Sequence, residues 1–301
     1  MIESSWKERA RRFYDEEAEG YESMAYGDGS GTYPANQIRL GHVLNELRDA
    51  GAGRVFDLGC GSGYPLAAML DAGFDAIGID FSENMVTEAK ALLEKRGHDP
   101  ERVVLGDGEN PDAFPTESFD AVVALGVFPH VIDEPAVIAH MSKALRPGGK
   151  FIAEFRNALF SMFTLNEYSL PFYAESFLAS AGALEDDSSL LMDSDAYYRR
   201  AFGLLEETNE PDPATLDSGR LTYKDIVAKF HNPLEIPALL SPTGLRLDHR
   251  IYYHFHAAPP ALESSHADEF RAASLEMESR LARNWRGMFM ASAFVAVAVK
   301  G

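Results

Sequence analysis

Three glycines and two aspartates form the clearest chemical pattern in the sequence. Gly59, Gly61 and Gly63 stand at alternate positions after a short apolar run that contains Asp57, and Asp80 follows Gly61 by 19 residues. Glycine allows positive φ and lets a ligand approach the backbone closely. A carboxylate at about this distance from a glycine turn can accept hydrogen bonds from both ribose hydroxyls. The pattern therefore predicts a nucleoside-binding loop.

Three ligands compete for this loop. A phosphate-binding loop of the G-x-x-x-x-G-K-[ST] type is excluded because the lysine is missing. A dinucleotide fold requires G-x-G-x-x-G; Gly59 and Gly61 fit, but Tyr64 occupies the third position. S-adenosylmethionine carries no phosphate, so a shorter turn suffices, and its ammonium accounts for an acid such as Asp57 beside the loop.

Alternating strands and helices must position these residues. The loop would join the first strand to a helix whose N-terminal amides can hold a negative group. Five apolar runs, each followed by a loop signal, predict strands, and the segments between them predict helices. The predicted strands are Arg54–Gly59, Asp75–Asp80, Val103–Asp107, Phe119–Leu125 and Lys150–Phe155, and the helices are Pro65–Ala72, Ser82–Arg96 and Glu134–Leu145.

The C-terminal part of the sequence completes the predicted sheet. Strand signals return at Leu245–Phe255 and Met288–Lys300, with a helical pattern over Ser265–Arg283 between them. We therefore expect an α/β fold with a doubly wound, seven-stranded, mostly parallel sheet, its last two strands an antiparallel pair at one edge. Arg146–Lys150, the sequence RPGGK, predicts a turn before the fifth strand.

Composition limits the function. The chain has 301 residues, 46% of them hydrophobic, and a net charge of −20. That charge disfavours nucleic acid as a partner without excluding a small anionic substrate. The single cysteine, Cys60, fits a reducing compartment. The N-terminus has no secretory signal pattern and no run reaches about 18 apolar residues, so we expect a cytoplasmic protein that does not span a membrane.

The ordered motifs resemble those of class I S-adenosylmethionine-dependent methyltransferases. VFDLGCGSG (residues 55–63) is similar to the first motif of the family, and GIDFSENMVTEAK (78–90) to its acidic ribose motif. GDGENPDAFPTESFDAVVALGVFPHV (106–131) resembles the adenine-edge motif and the fourth strand, and ALRPGGKFIAEF (144–155) resembles the approach to the fifth strand. FYDEEAEGYE (13–22) looks like the N-terminal cofactor lid. The resemblance covers residues 10–155 closely and the last strands loosely.

The resemblance implies a role for each matching residue. Asp57 would face the ammonium of S-adenosylmethionine, Asp80 would hold its ribose, and Asp107 with the Gly108 backbone would bind the adenine amino edge. Tyr14 and Tyr21 would close over the cofactor. The full set implied to bind it is Tyr14, Tyr21, Asp57, Gly59, Cys60, Gly61, Asp80, Phe81, Met85, Asp107, Gly108, Leu125 and Gly126.

The candidate catalytic residues are His130, as a general base, and Arg156. His130 follows the fourth strand, and a solvated loop histidine is the alternative interpretation. Glu154, Arg156 and Asn157 end the fifth strand, where ligands bind in such sheets. The predicted substrate-binding set is Phe128, His130, Glu154, Arg156, Asn157, Tyr168, Tyr223, His231 and Tyr252. His254 and His256 have the spacing of metal ligands on a strand. No third ligand is evident nearby, His231 and Glu235 are the alternatives for one, and we predict no metal.

The predicted organisation has four parts. They are an N-terminal helical cofactor lid (1–40), a cofactor-binding core (41–155), a mostly helical substrate-cap insertion after the fifth strand (156–232), and last strands with a helix (233–301). We expect methyl transfer to a small molecule such as a specialised metabolite. An NAD-dependent oxidoreductase and a non-catalytic S-adenosylmethionine-binding module are the alternatives. The acceptor atom and the oligomeric state stay open.

Overall fold

A single sheet forms the centre of the fold. The computed structural model describes residues 2–27, 33–110, 118–165 and 229–301, together with Ser169, Phe172 and Ile226. Within them the sheet has seven strands in the order β3-β2-β1-β4-β5-β7-β6. The strands are β1 (Arg54–Leu58), β2 (Asp75–Asp80), β3 (Val103–Leu105), β4 (Phe119–Ala124), β5 (Leu145–Arg156), β6 (Leu245–Phe255) and β7 (Ala291–Lys300).

Helices connect and cover these strands. None within the described ranges is long and apolar enough to cross a bilayer. The helices are α1 (Ile2–Glu17), α2 (Tyr21–Tyr26), α3 (Ala35–Asp49), α4 (Tyr64–Asp71), α5 (Glu83–Lys95), α6 (Glu134–Ala144), α7 (Ser161–Thr164), α8 (Ile236–Leu240), α9 (Ala267–Leu281) and α10 (Gly287–Met290).

The strand pairing confirms the predicted fold class. β1 pairs in parallel with both β2 and β4. The pairing of β2 with β3 and the pairing of β4 with β5 are also parallel. β7 runs antiparallel to β5 and separates it from β6. Strand order reverses between β1 and β4, and in open sheets ligands bind at the carboxyl ends of the strands near such a point.

β5 begins earlier than predicted. Arg146–Lys150 lies inside the strand and does not form a separate turn before it. Phe119 pairs with Leu145, but Ala121 pairs with Lys150, so the register shifts across this stretch. The backbone bulges there, and Gly148 has φ of 76°. A Pro-Gly-Gly sequence can therefore stay in a strand as an irregularity at its beginning.

Local sequence explains the helix that follows β2. The Ser82 hydroxyl caps α5 by accepting a hydrogen bond from the Met85 amide at 3.1 Å. Met85, Val86 and Ala89 are buried on one face of that helix, as their spacing predicts. A Cβ on Gly63 would lie 2.8 Å from the Ala89 Cβ, so the third glycine allows α4 and α5 to pack closely.

The chain divides into two compact units. The first comprises Met1–Arg156, Leu221–Tyr253 and Ala293–Gly301, and the second comprises Asn157–Arg220 and His254–Ser292. In the second unit, the Asn157 amide donates to the carbonyls of Met288 at 2.8 Å and Ala291 at 2.7 Å. Most of the predicted substrate cap, 156–232, lies outside the described residues, so the four-part organisation stays a proposal.

Candidate functional site

A cavity of about 340 Å³ lies in the first unit. It opens at the carboxyl ends of the parallel strands, where β1, β2, β4 and β5 end. Its walls include every residue that the sequence predicts to contact the cofactor: Tyr14, Tyr21, Asp57, Gly59, Cys60, Gly61, Asp80, Phe81, Met85, Asp107, Gly108, Leu125 and Gly126. Sequence motifs up to 112 residues apart therefore meet around one space.

The glycines of the loop have different roles. The amides of Gly59 and Cys60 both donate to the Ile79 carbonyl, at 2.8 and 3.0 Å, which ties the loop to β2. A Cβ on Gly59 would lie only 2.5 Å from Cγ2 of Val127, so packing requires that glycine. Gly61 has φ of 53° and open space where its Cβ would be. Gly61 is therefore the position at which a ligand can approach the bare backbone.

Asp57 is a buried acid with an unused acceptor. Its side chain is 1% exposed, and its Oδ2 atom has no hydrogen-bond partner among the described residues. Burial, together with the nearby charge of Asp80, raises the pKa of Asp57 to about 8, although Arg39 opposes the shift. A buried carboxyl without a donor is costly, and a ligand ammonium would satisfy it. This acceptor fits the cofactor expected from the sequence.

Asp80 supports the glycine loop from the end of β2. Its Oδ2 accepts from the Gly61 amide at 2.8 Å, and its Oδ1 accepts from the Ser82 amide at 2.9 Å. Burial raises the pKa of Asp80, and these amides oppose the rise. Each carboxylate oxygen can accept more than one hydrogen bond. Asp80 therefore keeps capacity for the ribose hydroxyls that the resemblance implies.

An ion-pair cluster connects α1 to the expected adenine edge. Lys7 Nζ lies 2.5 Å from Asp107 Oδ2 and 2.6 Å from Glu109 Oε2. The other oxygen of Glu109 accepts from the amides of Ile132 at 2.8 Å and Asp133 at 3.1 Å. Burial raises the pKa of Glu109, but the Lys7 and amide hydrogen bonds outweigh it and the net pKa is lowered.

Arg39 and Glu154 form a buried ion pair in the cavity wall. Arg39 donates to Glu154 through Nη1 and to the Tyr26 hydroxyl through Nη2 at 2.8 Å. Burial raises the pKa of Glu154, but Arg39, a hydrogen bond from Tyr253 and the charge of Arg156 hold it below its ordinary value. Glu154 lines the cavity and is paired there with Arg39, so its contact with a substrate stays a prediction.

His130 is held in one protonation state. Its Nδ1 lies 3.3 Å from the Ile226 carbonyl, an acceptor only, so Nδ1 carries the proton. Nε2 lies 2.9 Å from the Tyr14 hydroxyl and accepts from it. Burial lowers the pKa of His130 to about 4, and nearby Arg156 adds to this effect. His130 is therefore neutral, and the lone pair of its Nε2 in the cavity wall is directed at the Tyr14 hydroxyl.

Arg156 lies at the end of β5 and also lines the cavity. Its guanidinium carbon is 5.9 Å from the centroid of the Phe230 ring. A guanidinium over an aromatic face makes a cation–π contact. The two residues predicted to take part in catalysis, His130 and Arg156, thus share one cavity with the predicted cofactor set.

Four residues of the predicted substrate set do not line this cavity. Phe128 is fully buried and stacks on Phe155 with ring centroids 4.8 Å apart. Asn157 is occupied by the carbonyls of the second unit. His231 Nε2 is 2.8 Å from Glu134 Oε2, and the Tyr252 ring packs 6.0 Å from Phe294. Tyr168 and Tyr223 lie outside the described residues.

The described residues contain no cluster of three or more potential metal ligands. The rings of His254 and His256 lie 4.8 Å apart in the second unit. His256 packs between Phe160 and Phe270, and burial lowers its pKa to about 3. Its surroundings are thus aromatic and apolar.

Arg39, Lys7 and Glu109 are cavity residues that the sequence analysis missed. Arg39 lies four residues before Val43 and seven before Glu46, and all three are buried on α3. A charged residue on an otherwise inward helical face was the available signal. Tyr64, which argues against a dinucleotide loop, stacks on Tyr26 with ring centroids 4.4 Å apart.

The comparisons with known proteins agree with this geometry. Residues 56–153 match a family model described as a methyltransferase domain. Nocamycin O-methyltransferase from Saccharothrix syringae is 41% identical over 138 residues, which are 42% of this chain and 48% of that protein. Ubiquinone biosynthesis O-methyltransferase from Xanthomonas oryzae pv. oryzae is 30% identical over 171 residues, which are 54% of this chain and 70% of that protein.

A solved structure extends the likeness in fold to almost the whole chain. Magnesium protoporphyrin IX methyltransferase from Synechocystis PCC 6803, with bound SAH, has a TM-score of 0.57 at 17% identity. The alignment covers 98% of this chain and 100% of that one. By contrast, the chain spans about half the length of the first curated relatives it matches. The chain belongs to the class I S-adenosylmethionine-dependent methyltransferases, and S-adenosylmethionine is its cofactor.

Proposed function

We propose that this protein methylates an acidic hydroxyl oxygen of a small molecule, such as a phenol or an enol of specialised metabolism, with His130 as the general base. The observation that carries the proposal is the tautomer of His130, whose unprotonated Nε2 lies in the cavity wall and accepts from the Tyr14 hydroxyl at 2.9 Å. The hydroxyl of an acceptor would take the place of the Tyr14 hydroxyl at this nitrogen. The names of two relatives, both O-methyltransferases, support oxygen as the acceptor atom.

The residues around the cavity suit the binding of the cofactor. Asp57 offers an unpaired buried acceptor for the ammonium, and Asp80 and Asp107 offer acceptors for the ribose and the adenine edge. When bound, S-adenosylmethionine supplies a methyl group on a sulfonium, which is already an activated leaving group. The protein therefore mainly needs to orient the acceptor, and orientation can contribute about 7–11 kcal/mol.

The low pKa of His130 favours an acidic acceptor. A base whose conjugate acid has a pKa of about 4 takes a proton readily only from a hydroxyl that is itself acidic. His130 Nε2 would take the proton of that hydroxyl. The bound cofactor would supply the methyl group to the oxygen, with cleavage of the methyl–sulfur bond, and would leave as S-adenosylhomocysteine. The nearby positive charge of Arg156 would stabilise the negative charge that develops on the oxygen. An ordinary alkanol fits this arrangement poorly.

The test measures conversion of S-adenosylmethionine to S-adenosylhomocysteine with a panel of phenols, enols and alkanols. Mass spectrometry should find products that gain one CH₂ unit among the phenols and enols. His130→Ala should then lower kcat by about 10²–10⁴-fold. His98→Ala, which removes a half-buried histidine that is paired with Asp71 and does not line the cavity, is the control and should leave the rate unchanged.

Two results would contradict the proposal. An unchanged rate and pH profile in His130→Ala would remove His130 from the chemical step. Binding of S-adenosylhomocysteine in calorimetry without turnover of any acceptor would favour the non-catalytic binding module. Titration with NAD in the same instrument tests the remaining alternative and should give no heat.

A further inference from the structure

A short stretch of chain runs alongside the loop that carries His130. We call Ile226 together with Lys229–His231 the return segment. The Lys229 amide donates to the Pro129 carbonyl at 3.1 Å, and the His231 amide donates to the Arg156 carbonyl at 2.7 Å. The return segment thus bridges the His130 loop and the end of β5 within the first unit.

Both proposed active residues contact the return segment through their side chains. The carbonyl of Ile226 accepts from His130 Nδ1 and thereby places the lone pair on Nε2. The ring of Phe230 lies against the Arg156 guanidinium, although 42% of that phenylalanine is exposed. A shift of the return segment would therefore change the tautomer of His130 and the direction of Arg156 together.

Glu134 holds the return segment from the first turn of α6. One carboxylate oxygen lies 2.8 Å from Lys229 Nζ, and the other lies 2.8 Å from His231 Nε2. Phe230 stands between these two partners in the chain, so the carboxylate holds both sides of it. Burial raises the pKa of Glu134, but its hydrogen bonds and ion pairs with His231 and Lys229 lower it overall. Glu134 is therefore ionised at neutral pH.

We propose that Glu134 is a positioning residue that, through Lys229 and His231, keeps the return segment where it orients His130 and Arg156. Glu134 is absent from the cavity wall, so it acts through other residues. The inference rests on the proposed function for its catalytic meaning. The structural arrangement itself can be measured without cofactor or acceptor.

The experiment reads the His130 ring by NMR in the cofactor-free protein labelled with ¹⁵N-histidine. In the wild type, Nδ1 should be protonated and Nε2 unprotonated at neutral pH. Glu134→Ala and His231→Leu should produce a mixture of tautomers. They should also raise the pKa of His130 from about 4 toward the value of about 6.5 that an exposed histidine has.

Matched variants separate positioning from general loss of stability. His231→Gln keeps a donor near the position of Nε2 and should retain the wild-type His130 signals. Glu101→Gln breaks the exposed pair with Lys90 and should also leave them unchanged. If Glu134→Ala fails to fold, His231→Leu with His231→Gln provides the same comparison.

The outcomes distinguish this inference from the proposed function. Unchanged His130 signals and titration in both Glu134→Ala and His231→Leu would overturn the positioning role. Altered His130 signals in Glu134→Ala and His231→Leu, with wild-type signals in His231→Gln and Glu101→Gln, would support the positioning role. This result does not depend on the measured rate of turnover. Full activity of His130→Ala would overturn the proposed function and leave the positioning result standing.

Discussion

At the scale of single residues, the raised pKa of Asp57 would couple the binding of the cofactor to the release of a proton. Because its pKa is about 8, Asp57 is protonated in most molecules of the cofactor-free protein at pH 7. An ammonium beside it would favour the ionised form. A cofactor that binds with its ammonium beside Asp57, as the sequence predicts, would therefore release a proton from this carboxyl in the pH range between its ordinary pKa and 8.

We predict that S-adenosylhomocysteine, which carries the same ammonium, releases up to about one proton from Asp57 at pH 7. Calorimetry in phosphate and Tris buffers, which differ in ionisation enthalpy, measures this release. Affinity should fall by up to about tenfold per pH unit below 8. Asp57→Asn should abolish the difference between the buffers, and equal apparent enthalpies for the wild type would contradict the prediction.

The same shift has a consequence for stability. Because the folded-state pKa of Asp57 is raised above the unfolded value of 3.8, the folded protein binds more protons than the unfolded chain between those pH values. The contribution of Asp57 to the free energy of unfolding is therefore complete below pH 3.8 and declines as pH rises toward 8. Asp57→Asn should remove this part of the pH dependence.

Sequence reasoning located cavity residues where each one follows a recognisable strand or loop. Asp57, Gly61 and Asp80 follow from local motifs, and all three line the cavity. Arg39 could not be found in this way because its partner, Glu154, lies 115 residues away. A sequence pattern places a residue on a helical face, but only the packed structure shows what faces it.

At the scale of elements, contacts with distant parts of the chain determine the packing of the glycine loop. The sequence predicted the loop glycines as places for a ligand, but Gly59 is required by Val127 and Gly63 by Ala89. These contacts join distant parts of the chain, and local sequence does not reveal them. The bounds of β2 and β6 were predicted to the residue, whereas β5 begins five residues before its predicted start.

α1 is attached by polar contacts to the loops that follow β2 and β3. Lys7 pairs with Asp107 and Glu109, and the Ser82 hydroxyl donates to Asp15 Oδ1 at 2.5 Å. We predict that Lys7→Met speeds hydrogen exchange of the α1 amides and the dissociation of S-adenosylhomocysteine. The substitution removes the ion pairs of Lys7 with Asp107 and Glu109, which hold α1 beside the cavity. Exchange mass spectrometry and stopped-flow binding measure the two effects.

The same helix offers a control for that variant. Arg12 forms an exposed pair with Glu16 within α1, and its side chain is 61% exposed. Arg12→Met should lower the stability of α1 by only about 0.3–0.5 kcal/mol, because it removes one exposed pair within the helix. The contacts of Lys7 with Asp107 and Glu109 should remain intact. Equal exchange rates in Lys7→Met and Arg12→Met would contradict a lid held by Lys7.

At the scale of the whole molecule, contacts distant in sequence bring the cavity together. Arg39 of α3 meets Glu154 of β5, Tyr26 of α2 and, through Glu154, Tyr253 of β6. The order of motifs was enough to predict the sheet, since alternating strands and helices allow few topologies. The same order could not predict this buried network, whose members come from four separate elements.

The buried pair of Arg39 and Glu154 should be strongly coupled in stability. Removing one residue leaves the other charge buried without its ion-pair partner, so Arg39→Met and Glu154→Leu should each lower the free energy of unfolding by about 3–5 kcal/mol. The double variant replaces the pair by apolar side chains and should lose much less than the sum. Urea unfolding of the cofactor-free protein measures this cycle.

The exposed Lys90–Glu101 pair is the matched control, and its coupling energy should be less than about 1 kcal/mol. Additive losses at Arg39 and Glu154 would show that the two charges do not depend on each other, because independent sites lose stability separately.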